Sequence, residues 1–300
     1  NLIVYSSAVN LENPEIKAGK NLGIPIIKRA ELLGEIIKVK RTSLAVSGTH
    51  GKTTTTSMIG NILYEANLDP TIITGGIVNK YNSNNISGSG EMIVVEADEF
   101  DKSFLSLNPT YIALNNMELE HLDIYKDLDD LKNSFTKFAN STPFYGSVCI
   151  GVDSKNLATI IPNINRTYKT FGINNKADIM AKNIKFSKTN TIFDVTINQK
   201  KICTIELMVP GLHNVYNALS AISICTEVDV PIKYITEGLN KFCGVKRRFE
   251  IRYKNIKNRD IMIIDDYAHH HTELLATIDA TKSGWPNRRI ITVFQPHLFS

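Results

Sequence analysis

The chain has 300 residues, of which 43% are hydrophobic, so it can bury a large core and is neither disordered nor fibrous. Its 34 basic and 30 acidic residues give a formal net charge of +4, a bias too weak to indicate binding to nucleic acid or to a membrane surface. No apolar run approaches the roughly 18 residues that span a bilayer, and no basic region precedes the first apolar stretch, as it would in a secretory signal. Length alone favours about two domains.

The predicted elements of the first half of the chain alternate between strands and helices. Apolar segments predict strands at Leu2–Tyr5, Pro25–Ile27, Ser43–Ser47, Thr71–Thr74, Met92–Ala97, Tyr111–Asn115 and Ser147–Val152. The segments between them predict helices at Ala30–Val39, Thr53–Ala66 and Leu128–Ala139, and a polar loop at Ser83–Gly90. Because these strands are apolar without alternation and helices separate them, the pattern predicts a parallel sheet covered on both faces.

The second half begins with a different pattern. Apolar side chains alternate with polar ones over Phe193–Ile197 and again over Cys203–Leu207, which predicts an antiparallel hairpin with one solvated face, turning at Asn198–Lys201. The remaining segments predict helices and then a strand–helix–strand unit, at Val215–Val228, Ile232–Phe242, Asp260–Asp265, His271–Lys282 and Arg289–Phe294. We place a domain boundary near Gly244.

The most specific motif is a glycine-containing turn between a predicted strand and a predicted helix. It comprises Gly48, Thr49, His50, Gly51, Lys52, Thr53 and Thr54. This context is that of a phosphate loop, in which backbone amides and the helix N-terminus bind phosphate oxygens. Lys52 would contact the β- and γ-phosphates, and Thr53 would offer a hydroxyl to Mg²⁺. Val46 stands where the usual spacing has its first glycine, and the alternative is an ordinary turn with a solvated lysine.

Two further strand ends carry candidate Mg²⁺ ligands. Glu96 ends one predicted strand, and His121 follows the next. Because the carboxyl ends of parallel strands line the ligand crevice, these side chains would lie opposite the phosphate loop. The alternative for the acidic residues after Glu96 is that at least one of Asp98, Glu99 and Asp101 caps the following turn. Together with the loop, these residues predict a Mg-ATP site.

Clusters of basic residues and of histidines follow the predicted boundary. Lys246–Arg248 contains too few charges for a nucleic-acid site, and its alternatives are a solvated loop or an arginine brought to a nucleotide from a second domain. His269, His270 and His271 are adjacent, so on an extended chain they point to opposite faces and do not predict a zinc site. The four cysteines also lack metal-ligand spacing and are expected to be reduced thiols of a cytosolic protein.

These motifs together resemble the Mur ligase family, and within it the alanine-adding branch. The matching segments are Tyr5–Val9, Gly48–Thr56, Glu96–Glu99, Pro143–Gly146, Gly211–Asn214, Lys246–Phe249, Asp265–His270 and Phe294–His297. The resemblance implies an α/β fold with a central parallel-sheet ATPase domain of the P-loop type, to which the antiparallel hairpin is added. Partial Rossmann-like domains would flank it. Residues 1–40 would be the end of a UDP-sugar-binding domain, 41–243 the ATP-binding domain and 244–300 the start of an amino-acid-binding domain. We therefore expect the chain to be an internal piece of a longer enzyme.

The resemblance also implies a role for each matching residue. Lys52 and Thr53 would hold the ATP phosphates and Mg²⁺, with Glu96 and His121 as the other metal ligands. Residues from the second half would bind the nucleotide: His213, Asn214 and Asn217 on the adenine side, Arg248 at the phosphates and Asp266 near the ribose. Other residues would meet the substrates: Ser6, Ser7, Gly75 and Gly76 on the UDP-sugar side, and His269 and His270 at the amino acid.

The sequence departs from the family pattern at two places. His271 stands where the family usually has proline, so the role of this loop stays open. Some sister ligases have a carbamylated lysine after the metal-binding histidine, but the aligned position here is Phe135 or Thr136. We therefore expect no such modification.

The implied activity is the ATP-dependent joining of L-alanine to the carboxylate of UDP-N-acetylmuramate, in the bacterial cytoplasm. The carboxylate would be activated as an acyl phosphate through Lys52, Mg²⁺ and Arg248, and His270 would orient or accept the proton of the amine. One alternative is the sister ligase that attaches a preformed tripeptide to the same sugar, although Pro143–Gly146 and Gln295–His297 favour alanine. A different class, a nucleotide-dependent switch or ATPase, would hydrolyse ATP without an acyl acceptor.

Overall fold

The computed structural model describes residues 1–119, 124–254 and 260–296. Its strands, β1 to β14 in chain order, are Ile3–Tyr5, Ile26–Lys28, Thr42–Ser47, Thr71–Val78, Ser83–Ile86, Met92–Glu96, Tyr111–Leu114, Ser147–Gly151, Tyr168–Gly172, Ile179–Ser187, Asn190–Ile197, Lys200–Leu207, Glu250–Lys254 and Met262–Asp265. Its helices, α1 to α8, are Pro14–Asn21, Arg29–Ile36, Lys52–Glu65, Leu128–Asn140, Lys155–Ile160, Leu212–Glu227, Ile232–Asn240 and His271–Gly284. Short 3₁₀ helices lie at Ile37–Val39, Phe100–Ser106 and Ile161–Asn163.

Ten strands form one mixed, mostly parallel sheet in the order β12-β11-β10-β9-β8-β7-β3-β6-β4-β5. The seven strands from β10 to β4 pair in parallel, while β5 at one edge and β11 and β12 at the other pair antiparallel. The predicted α/β class is therefore confirmed. The predicted hairpin is present as β11 and β12, and it extends the main sheet through β10.

Buried side chains cover both faces of this sheet. In β3, Leu44 and Val46 belong to the apolar cluster that α3, α6 and α7 cover, whereas Ala45 belongs to the cluster under α4 and α5. All three side chains are fully buried. A strand buried on both faces needs an unbroken apolar run, and this is why β3 shows no alternation in the sequence.

Helix α3 is stable for a reason that helix propensity does not supply. Four threonines follow Lys52, and β-branched residues are poor helix formers. All four are buried, as is nearly every later residue of α3. The hydroxyl of Ser57 donates to the carbonyl of Thr53 at 2.7 Å. Packing under the sheet therefore stabilises this helix.

Two small sheets flank the large one. β1 and β2 pair in parallel, and their helix α2 contacts the 3₁₀ helix that follows β6, where Lys28 lies 3.7 Å from Asp101. β13 and β14 pair antiparallel. Near the predicted boundary, Val245 bridges to Val78 at the end of β4.

The structure corrects several sequence-based expectations. The predicted strand Arg289–Phe294 is wrong, because residues 289–296 form no strand. The apolar side chains of Ile291 and Val293 are 74% and 95% exposed, and no described segment pairs with this backbone. The predicted polar loop contains β5, and β4 extends to Val78 because β5 pairs with it. Helices α1 and α5 and strands β9, β10 and β13 were not predicted.

The strand order explains where a site can form. β3 lies between β6 and β7, so the chain leaves it toward one side of the sheet and later returns to its other side. Ligands bind in parallel α/β sheets at the carboxyl ends of strands around such a switch point. The loops after β3, β6 and β7 meet there.

Candidate functional site

The loop Gly48–Gly51 joins the end of β3 to α3 in a conformation that depends on glycine. Gly48 has φ +138° and Gly51 has φ +81°, both in the region that favours glycine. A Cβ on Gly48 would lie 3.0 Å from the backbone of Asn116, and one on Gly51 would clash with the side chain of Asn217. The N-cap residue of α3 is Gly51, which has no side chain to cap the helix. Its first amides can therefore bind an anion, as predicted for a phosphate loop.

The amino group of Lys52 lies at the base of this loop. It donates to the carbonyl of Gly48 at 2.9 Å and to Glu99 at 2.8 and 3.1 Å, and Asp98 lies at 3.6 Å. Burial lowers the pKa of Lys52, but the charges of Glu99 and Asp98 outweigh burial and hold this pKa above its usual value. Lys52 is therefore a fixed cation beside the phosphate loop.

Two predicted Mg²⁺ ligands lie together beside this cation. The hydroxyl of Thr53 donates to Glu96 at 3.1 Å, and the amide of Gly75 donates to the other carboxylate oxygen of Glu96 at 2.6 Å. Burial raises the pKa of Glu96, and these two donors oppose the shift. A hydroxyl and a carboxylate oxygen in contact are ligands of the kind that Mg²⁺ takes, so this pair fits the ion. His121 lies outside the described residues.

The segment after β7 holds the loop in place. The amide of His50 donates to the side chain of Asn116 at 2.8 Å, and the amide of Glu118 donates to the hydroxyl of Thr49 at 2.9 Å. Asn115 donates to Thr55 at 3.0 Å. The loop conformation therefore depends on the neighbouring strand as well as on its glycines.

Helix α6 supplies a wall of the site. The side chain of Asn217 accepts from Thr55 at 3.3 Å and donates to Asn214 at 3.2 Å, so these amides join α6 to α3. The Nδ1 atom of His213 is buried and has no hydrogen-bond partner among the described residues. Burial, aided by the charge of Arg248, lowers the pKa of His213 to about 4. His213 is thus a neutral imidazole at physiological pH.

Asp266 and Arg248 come from the part of the chain after the predicted boundary. Asp266 accepts from the amides of Phe249 and Ala268, both at 2.9 Å, and burial raises its pKa. The guanidinium of Arg248 lies 3.6 Å from Glu273 and 5.5 Å from the centre of the Tyr267 ring. Arg248 therefore presents a fixed positive charge to the cleft.

The histidine cluster before α8 contacts the phosphate loop directly. The rings of His50 and His270 lie 5.3 Å apart, and Nε2 and Nδ1 of His50 lie 3.4 Å from Glu118 and Glu273 respectively. Burial and the neighbouring His50 lower the pKa of His270. His50, Glu118 and His270 offer ligand atoms within 4.8 Å of one another, so they could hold a metal ion.

A cavity of about 560 Å³ unites most of these groups. Its volume lies within the range of small-molecule sites. The predicted residues that line it come from the phosphate loop, from α6 and from the segment after residue 243: His50, Gly51, Thr53, Thr54, His213, Asn214, Asn217, Arg248 and Asp266. This arrangement brings nine of the twelve predicted nucleotide-binding residues to one cleft, and Gly48, Thr49 and Lys52 lie outside its lining.

The other predicted residues lie apart from the lining of this cavity. Gly75 and Gly76 lie next to it, since Gly75 contacts Glu96 and a Cβ on Gly76 would lie 2.9 Å from Thr53. Ser6 and Ser7 follow β1 in a turn, where Ser6 accepts from the amide of Val9. His269 packs against Tyr267, with ring centres 5.1 Å apart.

Four acidic residues, Glu99, Glu118, Asp153 and Glu273, belong to the site although the sequence did not predict them as site residues. Glu99 pairs with Lys52, whereas Asp98 caps the turn by accepting from Phe100 at 3.3 Å. Asp153 lines the cleft and accepts from three consecutive amides, and Glu118 and Glu273 flank His50. The position of Asp153 directly after an apolar strand was the one available signal, since strand ends line such clefts.

No helix among the described residues is long and apolar enough to cross a membrane.

The models of three related domain families match successive parts of the chain. "Mur ligase family, catalytic domain" matches residues 1–41, "Mur ligase middle domain" matches 46–225, and "Mur ligase, glutamate ligase domain" matches 247–297. The middle-domain match alone covers more than half of the chain.

Known proteins resemble the chain over most or all of its length. UDP-N-acetylmuramate–L-alanine ligases of Sulfurihydrogenibium sp. (strain YO3AOP1) and Chlorobaculum tepidum are 48% and 46% identical over 100% of this chain, which spans 64% and 62% of their lengths. The crystal structure of UDP-N-acetylmuramate-alanine ligase from Thermotoga maritima has a TM-score of 0.86 at 30% identity, covering 98% of this chain and 66% of that one. A UDP-N-acetylmuramate:L-alanyl-gamma-D-glutamyl-meso-diaminopimelate ligase from Neisseria has a TM-score of 0.72 at 27% identity, covering 82% and 80%.

Proposed function

This chain belongs to the Mur ligase family, and from that membership we propose that it acts in an ATP-dependent ligase that joins L-alanine to the carboxylate of UDP-N-acetylmuramate. The family and the cleft support a bacterial cytoplasmic enzyme of peptidoglycan synthesis. The reaction proceeds through an acyl phosphate, releases ADP and phosphate, and forms an amide.

One observation carries this proposal. A single cavity is lined by the phosphate loop (His50, Thr53), by α6 (Asn214) and by residues after 243 (Arg248, Asp266). A nucleotide held there touches both parts of the chain. Such a cleft suits a reaction in which an activated intermediate must be kept from water until a second substrate attacks.

The phosphoryl step uses fixed positive charge. In this proposal, the uncapped amides at the start of α3, the amine of Lys52 beside them and the guanidinium of Arg248 in the cavity lining supply that charge. These groups bind and orient the γ-phosphate and stabilise the charge that develops during transfer. Because Glu99 and Asp98 hold the Lys52 amine at the loop, it is positioned before the nucleotide arrives.

Thr53 and Glu96 would hold Mg²⁺, with His121 as a further ligand. The contact between the Thr53 hydroxyl and the Glu96 carboxylate is the observation that supports this assignment. When bound, the ion neutralises charge on the phosphate oxygens. The amide of Gly75 keeps the Glu96 carboxylate oriented toward Thr53.

The other substrates meet residues that lie outside the lining of the cavity. His269 and His270 would meet the amino acid, and the neutral His270 can orient or accept the proton of the attacking amine. Gly75 and Gly76 would contact the UDP-sugar, together with Ser6 and Ser7. In this proposal, residues 1–40 belong to the UDP-sugar domain and 244–300 to the amino-acid domain, both Rossmann-like, around the ATP-binding domain of 41–243.

The choice of L-alanine rests on the relatives, whose identity of 46–48% extends over this whole chain. The test is ADP release by the full-length protein with UDP-N-acetylmuramate and either L-alanine or L-Ala-γ-D-Glu-meso-diaminopimelate, with the product identified by mass. We expect ADP release and product with L-alanine. Preference for the tripeptide would assign the sister activity, and ADP release that is independent of both acceptors would indicate an ATPase instead.

A further inference from the structure

Glu273 occupies a position that the proposed function does not yet use. It lies in the first turn of α8, directly after the histidines, and its side chain is 16% exposed. Its two carboxylate oxygens face different parts of the molecule. Oε1 lies 3.4 Å from Nδ1 of His50 in the phosphate loop and 3.6 Å from Arg248. Oε2 accepts from the amides of His269 at 3.1 Å and His270 at 3.5 Å.

A second contact crosses the cleft beside the first. The hydroxyl of Thr272 donates to Glu118 at 2.7 Å, and the same oxygen of Glu118 lies 3.4 Å from Nε2 of His50. The His50 ring therefore lies between Glu118, which follows β7, and Glu273 of α8. The backbone of His50 is fixed by Asn116. The phosphate loop is therefore linked to the first turn of α8 through these contacts, so a shift of the loop would displace that turn.

The charge of Glu273 is maintained by these neighbours. Burial raises the pKa of Glu273, but the hydrogen bonds from His50 and the His269 amide and the charge of Arg248 outweigh burial and lower this pKa to about 2. Glu273 is therefore an anion at neutral pH.

We propose that Glu273 is a positioning residue that couples nucleotide binding at the phosphate loop to amino-acid binding at His269 and His270. The inference rests on the proposed function, because it takes those histidines as the amino-acid side. When the nucleotide orders His50 and Arg248, these two side chains hold Oε1, and Oε2 then holds the backbone of His269 and His270 in its binding conformation. By reciprocity, the amino acid also favours nucleotide binding.

The simpler role of Glu273 is to cap α8, since a glutamate at this position commonly accepts from backbone amides. The two roles make different demands on the side chain. A cap needs only an acceptor, which glutamine also supplies. Coupling needs the negative charge of the Glu273 carboxylate, which faces both His50 and Arg248. Glu273→Gln therefore retains the cap and loses the coupling, whereas Glu273→Ala loses both.

The experiment measures the Kd of radiolabelled L-alanine by equilibrium dialysis in the full-length protein with UDP-N-acetylmuramate, with and without a non-hydrolysable ATP analogue. In the wild type we expect the analogue to lower this Kd by about fivefold or more. In Glu273→Gln we expect a change below about twofold, with a wild-type melting temperature. Asp279→Asn is the matched control, because it removes an exposed negative charge from the same helix, and it should behave as the wild type.

Two outcomes overturn the inference: a wild-type Kd that the analogue does not change, or full coupling in Glu273→Gln. A melting temperature that falls equally in Glu273→Gln and Glu273→Ala, with coupling intact in both, would assign the residue to helix stability alone. A wild-type protein that binds no L-alanine and releases no ADP would instead refute the proposed function, so the two failures are distinguishable.

Discussion

Lys52→Met tests whether the phosphate-loop lysine has a structural role as well as a catalytic one. Lys52 is 16% exposed, and its partner Glu99 is 3% exposed. Removing the amine leaves the Glu99 carboxylate buried with Asp98 nearby and without its cation. Breaking a buried ion pair by removing one partner costs about 3–5 kcal/mol. Because Lys52 retains some contact with solvent, we expect the lower end, a loss of about 3 kcal/mol in the free energy of unfolding.

The double variant Lys52→Met/Glu99→Gln separates the two roles. It removes both charges and leaves groups of similar volume, and replacing a whole buried pair is commonly near neutral. We therefore expect the double variant to recover at least about 2 kcal/mol of the lost stability. It should not recover turnover, because the phosphates still lack their amine.

Urea unfolding followed by circular dichroism measures the stability, and ADP release with UDP-N-acetylmuramate and L-alanine measures the activity. Glu99→Gln alone completes the cycle. A Lys52→Met variant as stable as the wild type would refute the structural role. Substantial turnover in either variant that lacks Lys52 would refute its placement at the phosphates.

Three further predictions concern other groups of the cleft. Asp153→Ala removes the acceptor of three backbone amides, and we expect it to lower the free energy of unfolding by about 2 kcal/mol at pH 7. Burial raises the pKa of Asp153, but the hydrogen bonds from those amides outweigh burial and hold this pKa below its usual 3.8. The destabilisation should therefore shrink when urea unfolding is measured below pH 3.8. The pKa of His213 is lowered to about 4 in the folded protein, so as the pH falls the unfolded state binds a proton on this residue before the folded state does. Stability should therefore fall as the pH falls from 6.5 to 4, and melting curves of His213→Asn should show a smaller fall. Thr53→Val and Glu96→Gln should each raise the Mg²⁺ concentration for half-maximal ADP release by at least about tenfold, and an unchanged requirement would place the ion elsewhere.

Much of the site could be predicted because its residues occupy positions with a local signature. The loop around Lys52 lies between an apolar strand and a helix, and Glu96 lies at the end of a strand. In a parallel sheet the strand ends converge, so the sequence placed these residues together without knowledge of the strand order. Their contact through Thr53 at 3.1 Å is the geometric result.

The rest depends on contacts that no local pattern records. Glu273 contacts His50 although more than two hundred positions separate them, and in sequence it looks like a helix cap. In the sequence, Glu99 could either cap a turn or pair with a lysine. It pairs with Lys52 because β6 lies next to β3, which brings the segments after these two strands together. The segment Arg289–Phe294 has the composition of a strand, but a strand also requires a neighbour to accept its hydrogen bonds.

Hydroxylamine trapping tests the central claim most directly. The full-length protein is given ATP, Mg²⁺ and UDP-N-acetylmuramate without L-alanine, and hydroxylamine then intercepts an acyl phosphate as a hydroxamate of the sugar. We predict a hydroxamate that requires both ATP and the UDP-sugar and that is absent in Lys52→Met. ATP hydrolysis at the same rate without the sugar, and without any hydroxamate, would contradict the assignment of this cleft to an acyl-phosphate ligase.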